Sequence, residues 1–372
     1  MQVLKIGSDF SGVGAFDYAI KRVANAQRFR IQNIFACDMD KFARQSYLAN
    51  HDAPGYYPLN VYDREIPNES LDVYMTSPPC QAFSLAGKRL GKEDQRGILF
   101  FNSVEFIRKN KPRFFIFENV KGLMSDDNGK TFSEWINFLG GKSVNNNAVL
   151  FPYNDSVPYH IYFDVLNAKE HGIPQNRERV FIVGIRDDID NNFRFPKTEH
   201  LKIKLMDVLE SIVDEKYFLS EKAIEGILNS NFVSQKNLIQ TNDFCDCLLS
   251  RDYKDPKCVY VNSNNSKGYE IATIGDSINL DQPNSKTRRG RVGTQVSQTL
   301  TTLRTIDSCG DKRIINENRI RRLTPRECFR LMDFPDEFKF VVSNAQLYKQ
   351  AGNSIVVRVL EKIISNLNLI KK

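Results

Sequence analysis

The residue best suited to act as a nucleophile in this chain is Cys80, within Ser77-Pro78-Pro79-Cys80-Gln81-Ala82-Phe83-Ser84-Leu85-Ala86-Gly87-Lys88. Residues 71–76 in front of it read as a short buried strand, rich in β-forming side chains. Two prolines then fix the backbone and remove two amide donors, which ends the strand. A thiol is left at a stiff strand-to-loop corner, followed by glycine, lysine and arginine as far as Arg96. Partial exposure and positive surroundings are what a reactive thiolate needs. The same corner suits an inert, buried cysteine equally well, so the rest of the chain must decide.

The elements around it set the context. Residues 3–10 alternate into a strand that breaks at Ser11-Gly12-Val13-Gly14, and residues 15–24 form a helix with Phe16, Ala19, Ile20 and Val23 on one face. Glycines in that turn let the backbone approach a ligand at the carboxyl end of the first strand. A dinucleotide fingerprint needs a third glycine where Asp17 stands, which speaks against an NAD oxidoreductase. Residues 30–37 form a second strand ending in Asp38-Met39-Asp40. An acidic residue there suits a ribose hydroxyl pair, or it caps the helix at 41–50; two aspartates leave room for both roles. Strands at 71–76, 113–117, 159–166 and 179–185, with helices at 97–109 and 131–139, keep the rhythm. The expected fold is α/β, a doubly wound, largely parallel sheet. Gly12, Asp38, Cys80 and Glu118 all fall at strand carboxyl ends, where such sheets bind ligands.

Beyond residue 185 the rhythm breaks. Residues 190–318 are richer in Asn, Ser, Thr, Lys and Arg, with helices expected at 205–213 and 220–228 among short strands and loops. The chain therefore divides into a first domain over 1–189, a smaller irregular one over 190–318, and a return over 319–372. The return opens with Thr324 as a helix cap and Pro325 as first helical residue, and closes with an amphipathic helix at 354–367. The 372 residues are 41% hydrophobic and 26% charged, an ordinary globular balance. A net charge of +7, concentrated at 286–291 and 319–330, is compatible with a polyanionic partner. No secretion signal and no run of 18 apolar residues is present, so no membrane association is expected. Seven irregularly spaced cysteines argue against a disulfide framework and fit a reducing cytoplasm.

Six segments in order resemble the cytosine-C5 DNA methyltransferases of bacteria and phages: Asp9-Phe10-Ser11-Gly12-Val13-Gly14, Pro78-Pro79-Cys80-Gln81-Ala82-Phe83-Ser84, Phe117-Glu118-Asn119-Val120, Gln175-Asn176-Arg177-Glu178-Arg179, Arg322-Leu323-Thr324-Pro325-Arg326-Glu327 and Gln350-Ala351-Gly352-Asn353-Ser354. Departures from the family pattern are few. Ala15 replaces a usual glycine and Pro78 a common phenylalanine. Asp38 stands for the glutamate that usually binds ribose, Met39 for a tryptophan that packs on adenine, and Asn60 for an aspartate that accepts from the adenine amino group. An amide oxygen can still accept there.

The resemblance implies S-adenosylmethionine as cofactor, leaving as S-adenosylhomocysteine, held by Phe10, Gly12, Gly14, Asp38, Met39, Asn60, Asn353 and Ser354. It implies Cys80 adding to carbon 6 of cytosine, a protonated Glu118 on ring nitrogen 3, Arg179 on the carbonyl oxygen and Arg177 in support, with no metal. It implies duplex DNA as partner, a flipped target base, and a smaller, irregular target-recognition domain at 190–318. Gln81, Ser84, Lys88 and Arg89 would meet DNA from the nucleophile segment and a mobile loop over 87–97. Arg288, Arg289, Arg291 and Thr301 would meet it from the recognition domain, on phosphates or on base edges. A cytoplasmic monomer is expected, either with a companion restriction endonuclease or as an orphan or phage enzyme. Cys245, Cys247, Cys258 and Cys309 match no standard zinc spacing. A tRNA cytosine-C5 methyltransferase is disfavoured by the long middle region, and a decayed binding module by the retention of Cys80, Glu118 and Arg179.

Overall fold

The protein is described by a computed structural model covering residues 1–79, 97–189, 192–203, 205–217 and 321–370, with short strand segments between 238 and 314. The helix expected at 220–228 lies outside the described residues.

Strict alternation in the strands builds a three-layered structure. In the strand Phe114–Val120, Phe114 and Ile116 enter one apolar cluster, while Phe115 and Phe117 enter another on the opposite face. The first cluster is covered by helix α1 (Ala15–Gln27) through Phe16, Ala19, Ile20 and Val23, and by the closing helix through Val357, Leu360, Ile363 and Ile364. The second is covered by Phe100 and Trp135, whose rings stack at 4.1 Å, from the helices Gly97–Asn110 and Lys130–Leu139.

In chain order the main sheet contains β1 (Val3–Asp9), β2 (Arg30–Cys37), β3 (Val73–Thr76), β4 (Phe114–Val120), β5 (Ser143–Val144), β6 (Asn147–Ala148), β7 (Tyr159–Asn167) and, after the short β8 (Gln175–Asn176), β9 (Glu178–Arg186). Its spatial order is β2-β1-β3-β4-β9-β7-β5-β6. The half from β2 to β4 is parallel, as the βα rhythm predicts. Beyond β4, β9 is antiparallel to both β4 and β7. The cause is the short link from Asn167 to Glu178: a parallel return needs a crossover of about a dozen residues or more. The link holds only a 3-10 turn at Ala168–His171 and β8. β8 also pairs in parallel with the segment Cys245–Asp246.

With α1 and α2 (Lys41–Asn50) on the parallel half, the further helices are α3 (Gly97–Asn110), α4 (Lys130–Leu139), α5 (Leu205–Val208), α6 (Pro325–Arg330), α7 (Asn344–Asn353) and α8 (Val357–Ser365). α5 is one turn, shorter than the 205–213 expected. The reason is that the Glu210 amide donates to Glu327 Oε1 at 2.8 Å, and its carboxylate accepts from the Thr324 hydroxyl, instead of continuing a helix. Glu327 and Thr324 are themselves the two halves of the capping box that starts α6. Phe193 and Phe195 pack on the first cluster, so the chain just past β9 still lies against the main sheet. Among the described residues no helix is long and apolar enough to cross a membrane.

Glycine is required at 184, where an added Cβ would overlap the ring of Phe115 on the paired strand. Gly184→Ala is expected to cost about 1–3 kcal/mol through overpacking, read from urea unfolding. Phe115→Leu in the same chain should recover part of that loss, and a cost unchanged by the second substitution would place the strain elsewhere.

Candidate active site

Two groups of predicted residues come together at the carboxyl ends of the parallel strands. The first forms where β3, β4 and β9 lie side by side. Thr76 is level with Phe117, and Val120 with Arg179, so the chain leaving β3 emerges beside Glu118. Glu118 and Arg179 are diagonal neighbours across the β4–β9 pair, on the same side of the sheet. Arg179 Nε lies 3.1 Å from Glu118 Oε1. Glu118 is buried, and burial pushes its carboxyl above the ordinary glutamate range, opposed by the charges of Arg179 and Arg177.

Asn119, next to Glu118, was given no role from sequence. Its side-chain amide donates to the Pro78 carbonyl at 2.9 Å, while its Oδ1 accepts from the Val120 amide at 2.9 Å. The two prolines before Cys80 are thus braced against the strand that carries Glu118. The signal was present in the sequence as the middle residue of Glu118-Asn119-Val120. Cys80 itself lies outside the described residues, as do Gln81, Ser84, Lys88, Arg89, Arg288, Arg289, Arg291 and Thr301. Cys37 and Cys328 are both buried, and burial pushes the Cys37 thiol up to about 12. Neither is a nucleophile in this setting.

Arg177 is 3% exposed, and its charge acts on the Glu118 carboxyl. Its Nη2 donates to the carbonyls of Gly352 at 2.9 Å and Ser354 at 2.7 Å. Gln175, fully buried, donates to the Leu331 carbonyl at 2.7 Å. The segment Gln175-Asn176-Arg177 therefore fastens the ends of α6 and α7 to the chain leading into β9.

The second group surrounds the first glycine turn. Phe10, Gly12 and Gly14 all have left-handed backbone, with φ of 57°, 54° and 84°. For a bulky residue such as Phe10 this costs on the order of 1–3 kcal/mol, a strain that concentrates at functional turns. Gly12 donates its amide to Asp38 Oδ2 at 2.8 Å, and Asp38 Oδ1 accepts from the Asp40 amide at 2.8 Å. Asp40 caps α2 by accepting from the amides of Phe42 and Ala43. The two aspartates are thereby distinguished: Asp40 caps, and Asp38 braces the glycine turn. Burial raises the Asp38 carboxyl, opposed by the two amides it accepts from. Met39 is 84% exposed beside them, and Asn60 Oδ1 accepts from the Tyr62 amide at 3.0 Å.

α7, which sequence reading missed, joins the two groups. Lys349 pairs with Asp40 at 2.7 Å, Gln350 Oε1 accepts from Ser46 at 3.0 Å, and Gly352 and Ser354 meet Arg177. Asn353 is exposed and Ser354 buried at the end of the same helix. Leu347, Tyr348 and Ala351, all buried on one face, are the periodic signal that marks α7.

The fit of a nucleoside-bearing cofactor can be tested on the turn itself. A Cβ added at Gly12 would meet nothing within 4 Å, so open space lies beside the turn. The part-buried Asp38 carboxylate meets the turn through the Gly12 amide, and the exposed Met39 follows it in the chain. These residues fit S-adenosylmethionine. Among the described residues no group of three or more His, Cys, Asp or Glu side chains is gathered for a metal ion.

The brace from Arg177 carries a stability consequence. Arg177→Met leaves two carbonyls without their charged donor, and hydrogen bonds to charged groups contribute about 1.5–3 kcal/mol each. Its urea midpoint should fall accordingly; a midpoint equal to that of the parent chain would mean those carbonyls find other donors.

Comparison with known proteins agrees with this geometry. The profile of the C-5 cytosine-specific DNA methylase family matches residues 4–369. The orphan methyltransferase M.SPRI of Bacillus phage SPR is 31% identical over 452 aligned residues, covering 99% of this chain and 98% of that protein. The type II methyltransferase M.HhaI of Haemophilus parahaemolyticus is 29% identical over 367, covering 96% and 92%. Among solved structures, the Dnmt2 methyltransferase of S. pombe superposes with a TM-score of 0.60 at 18% identity, over 98% of both chains, which speaks to fold alone. A profile match over nearly the whole length, with buried Glu118 and Arg179 in contact beside the proline corner, leads to one conclusion: this chain belongs to the C-5 cytosine-specific DNA methylase family.

Proposed function

We propose that this enzyme methylates carbon 5 of a cytosine flipped out of a short, specific duplex DNA site, through a covalent adduct on Cys80. The single observation that carries the reading is the Asn119–Pro78 hydrogen bond, which holds the corner leading to Cys80 against the Glu118–Arg179 pair.

Carbon 5 of cytosine is a poor nucleophile. Addition of the Cys80 thiolate to carbon 6 moves the ring's electron pair onto carbon 5, the logic of covalent catalysis. Negative charge that develops on the ring is taken up at nitrogen 3 by a proton from Glu118. A carboxyl whose burial keeps it protonated above the ordinary range is suited to that donation. Arg179 orients Glu118 and holds the base carbonyl oxygen, and Arg177 keeps the Gly352–Ser354 segment in place. When bound, S-adenosylmethionine supplies the electrophilic methyl group. Phe10, Gly12, Gly14, Asp38, Met39, Asn60, Asn353 and Ser354 are the residues that would hold it. Solvent water then takes the carbon 5 proton, the freed electron pair re-forms the carbon 5–carbon 6 double bond and expels Cys80 as thiolate, and nitrogen 3 returns its proton to Glu118.

Extruding the base costs a few kcal/mol, which contacts to the flanking DNA must supply. We assign these to residues 190–318 with Arg288, Arg289, Arg291 and Thr301, and to Gln81, Ser84, Lys88 and Arg89 near the nucleophile. The local arginine excess and the family's habit of reading DNA support this. We further propose a cytoplasmic monomer, working with a companion restriction endonuclease or alone; the curated relatives include both type II and orphan enzymes.

Bisulfite sequencing of DNA from cells expressing the chain should show methylated cytosine in one short context. Unmethylated DNA alongside methylated RNA would replace the substrate, and methylation of neither would reject the reading. Glu118→Gln should lower the single-turnover rate by roughly 10²–10⁴-fold, the usual weight of a general acid. The sign with pH follows from the raised carboxyl. Rising pH strips the proton from Glu118, so the parent enzyme should lose rate on the alkaline side of that elevated value. The residual rate of Glu118→Gln should lack this limb.

A further inference from the structure

The segment between α2 and β3 carries Asn60 without helix or strand of its own, yet it is fastened on both sides of that residue by an arginine, half-buried Arg44 before it and buried Arg64 after it. At its start, Tyr56 bridges to Phe35 on β2, and Arg44 from α2 donates to the carbonyls of Tyr57 and Pro58, each at 2.8 Å. The same guanidinium lies 3.8 Å from the centre of the Tyr57 ring. At its end, Arg64 is drawn into the sheet. Its Nε lies 2.9 Å from Asp9 Oδ1, and its guanidinium 4.5 Å from the centre of the Phe106 ring. Asp9 Oδ2 accepts from the Tyr74 hydroxyl at 2.6 Å. Asp9 is the residue before Phe10 and its glycine turn, and Tyr74 lies on β3, the strand that leads to Cys80.

Buried ion pairs are weak sources of stability, but they fix geometry where alternatives would leave a lone charge. Between the two anchors Leu59 and Tyr62 are exposed, and Val61, buried in the second apolar cluster, is the one apolar side chain that packs beside Asn60. We propose that Arg44 and the Asp9–Arg64–Tyr74 cluster are positioning residues that set the placement of Asn60, and through it selection of an adenine over a base that lacks the exocyclic amine. This rests on Asn60 accepting from the adenine amino group. Its amide oxygen keeps a second lone pair free beside the Tyr62 amide. A site that must hydrogen-bond an amine discriminates strongly against the analogue that lacks it.

The test uses the full chain and calorimetric binding of S-adenosylhomocysteine and of its deaminated analogue, S-inosylhomocysteine. The parent should favour the adenine compound at least tenfold. Asp9→Asn/Arg64→Met, which removes both buried charges together, and Arg44→Met should each bring that ratio toward one. The KM for S-adenosylmethionine should rise with kcat nearly unchanged. Asn60→Ala separates the two levels of the argument. A ratio that survives Asn60→Ala rejects the adenine contact itself. A ratio lost in Asn60→Ala but intact in both folded anchor variants rejects the clamp alone. Loss of kcat in step with loss of folded protein would make the anchors merely structural, and overturn the proposal too.

Discussion

The constraint on which the site depends is the register of three neighbouring strands. β3 and β4 run parallel with Thr76 level with Phe117, and β9 returns antiparallel with Arg179 level with Val120. A slip of one residue in either pairing would turn the side chains to the opposite face of the sheet. The buried alternation of Phe114, Phe115, Ile116 and Phe117 into two separate cores forbids that slip. Register therefore delivers Glu118, Arg179 and the exit of β3 to one place. Asn119 needs only a single hydrogen bond to hold the proline corner there.

Charge is handled by coupling parts of the chain that lie far apart in sequence. Arg177 spends its guanidinium on carbonyls near the end of α7, Lys349 of that helix pairs with the cap of α2, and Arg64 is neutralised by Asp9. Each contact brings a buried or half-buried charge together with polar groups that would otherwise lie unpaired. The result is one connected frame from the glycine turn to Glu118, with the last segment of the chain as its bridge.

Much of this was legible in the residues. The strand-turn-helix rhythm, the helix cap at Thr324 and the carboxyl-end location of Gly12, Asp38 and Glu118 follow from patterns local in sequence. What local pattern does not carry is partner choice across long separations. Arg64 looks like an ordinary charged loop residue until Asp9, 55 positions away, is seen to hold it. Asp38 and Asp40 could not be told apart until each carboxylate was matched to the amides it accepts from. The antiparallel half of the sheet was hidden in the length of one link, and α7 behind the polar residues of its outer face.

The central claim is that the thiol at the proline corner attacks the base. Duplex DNA carrying 5-fluorocytosine at the recognised position tests it most directly, because fluorine cannot leave as a proton does. With S-adenosylmethionine present, the account predicts a denaturation-resistant protein–DNA adduct whose mass maps to the peptide containing Cys80, and none with Cys80→Ser. An adduct at another residue, or methyl transfer by Cys80→Ser at the parent rate, would contradict it.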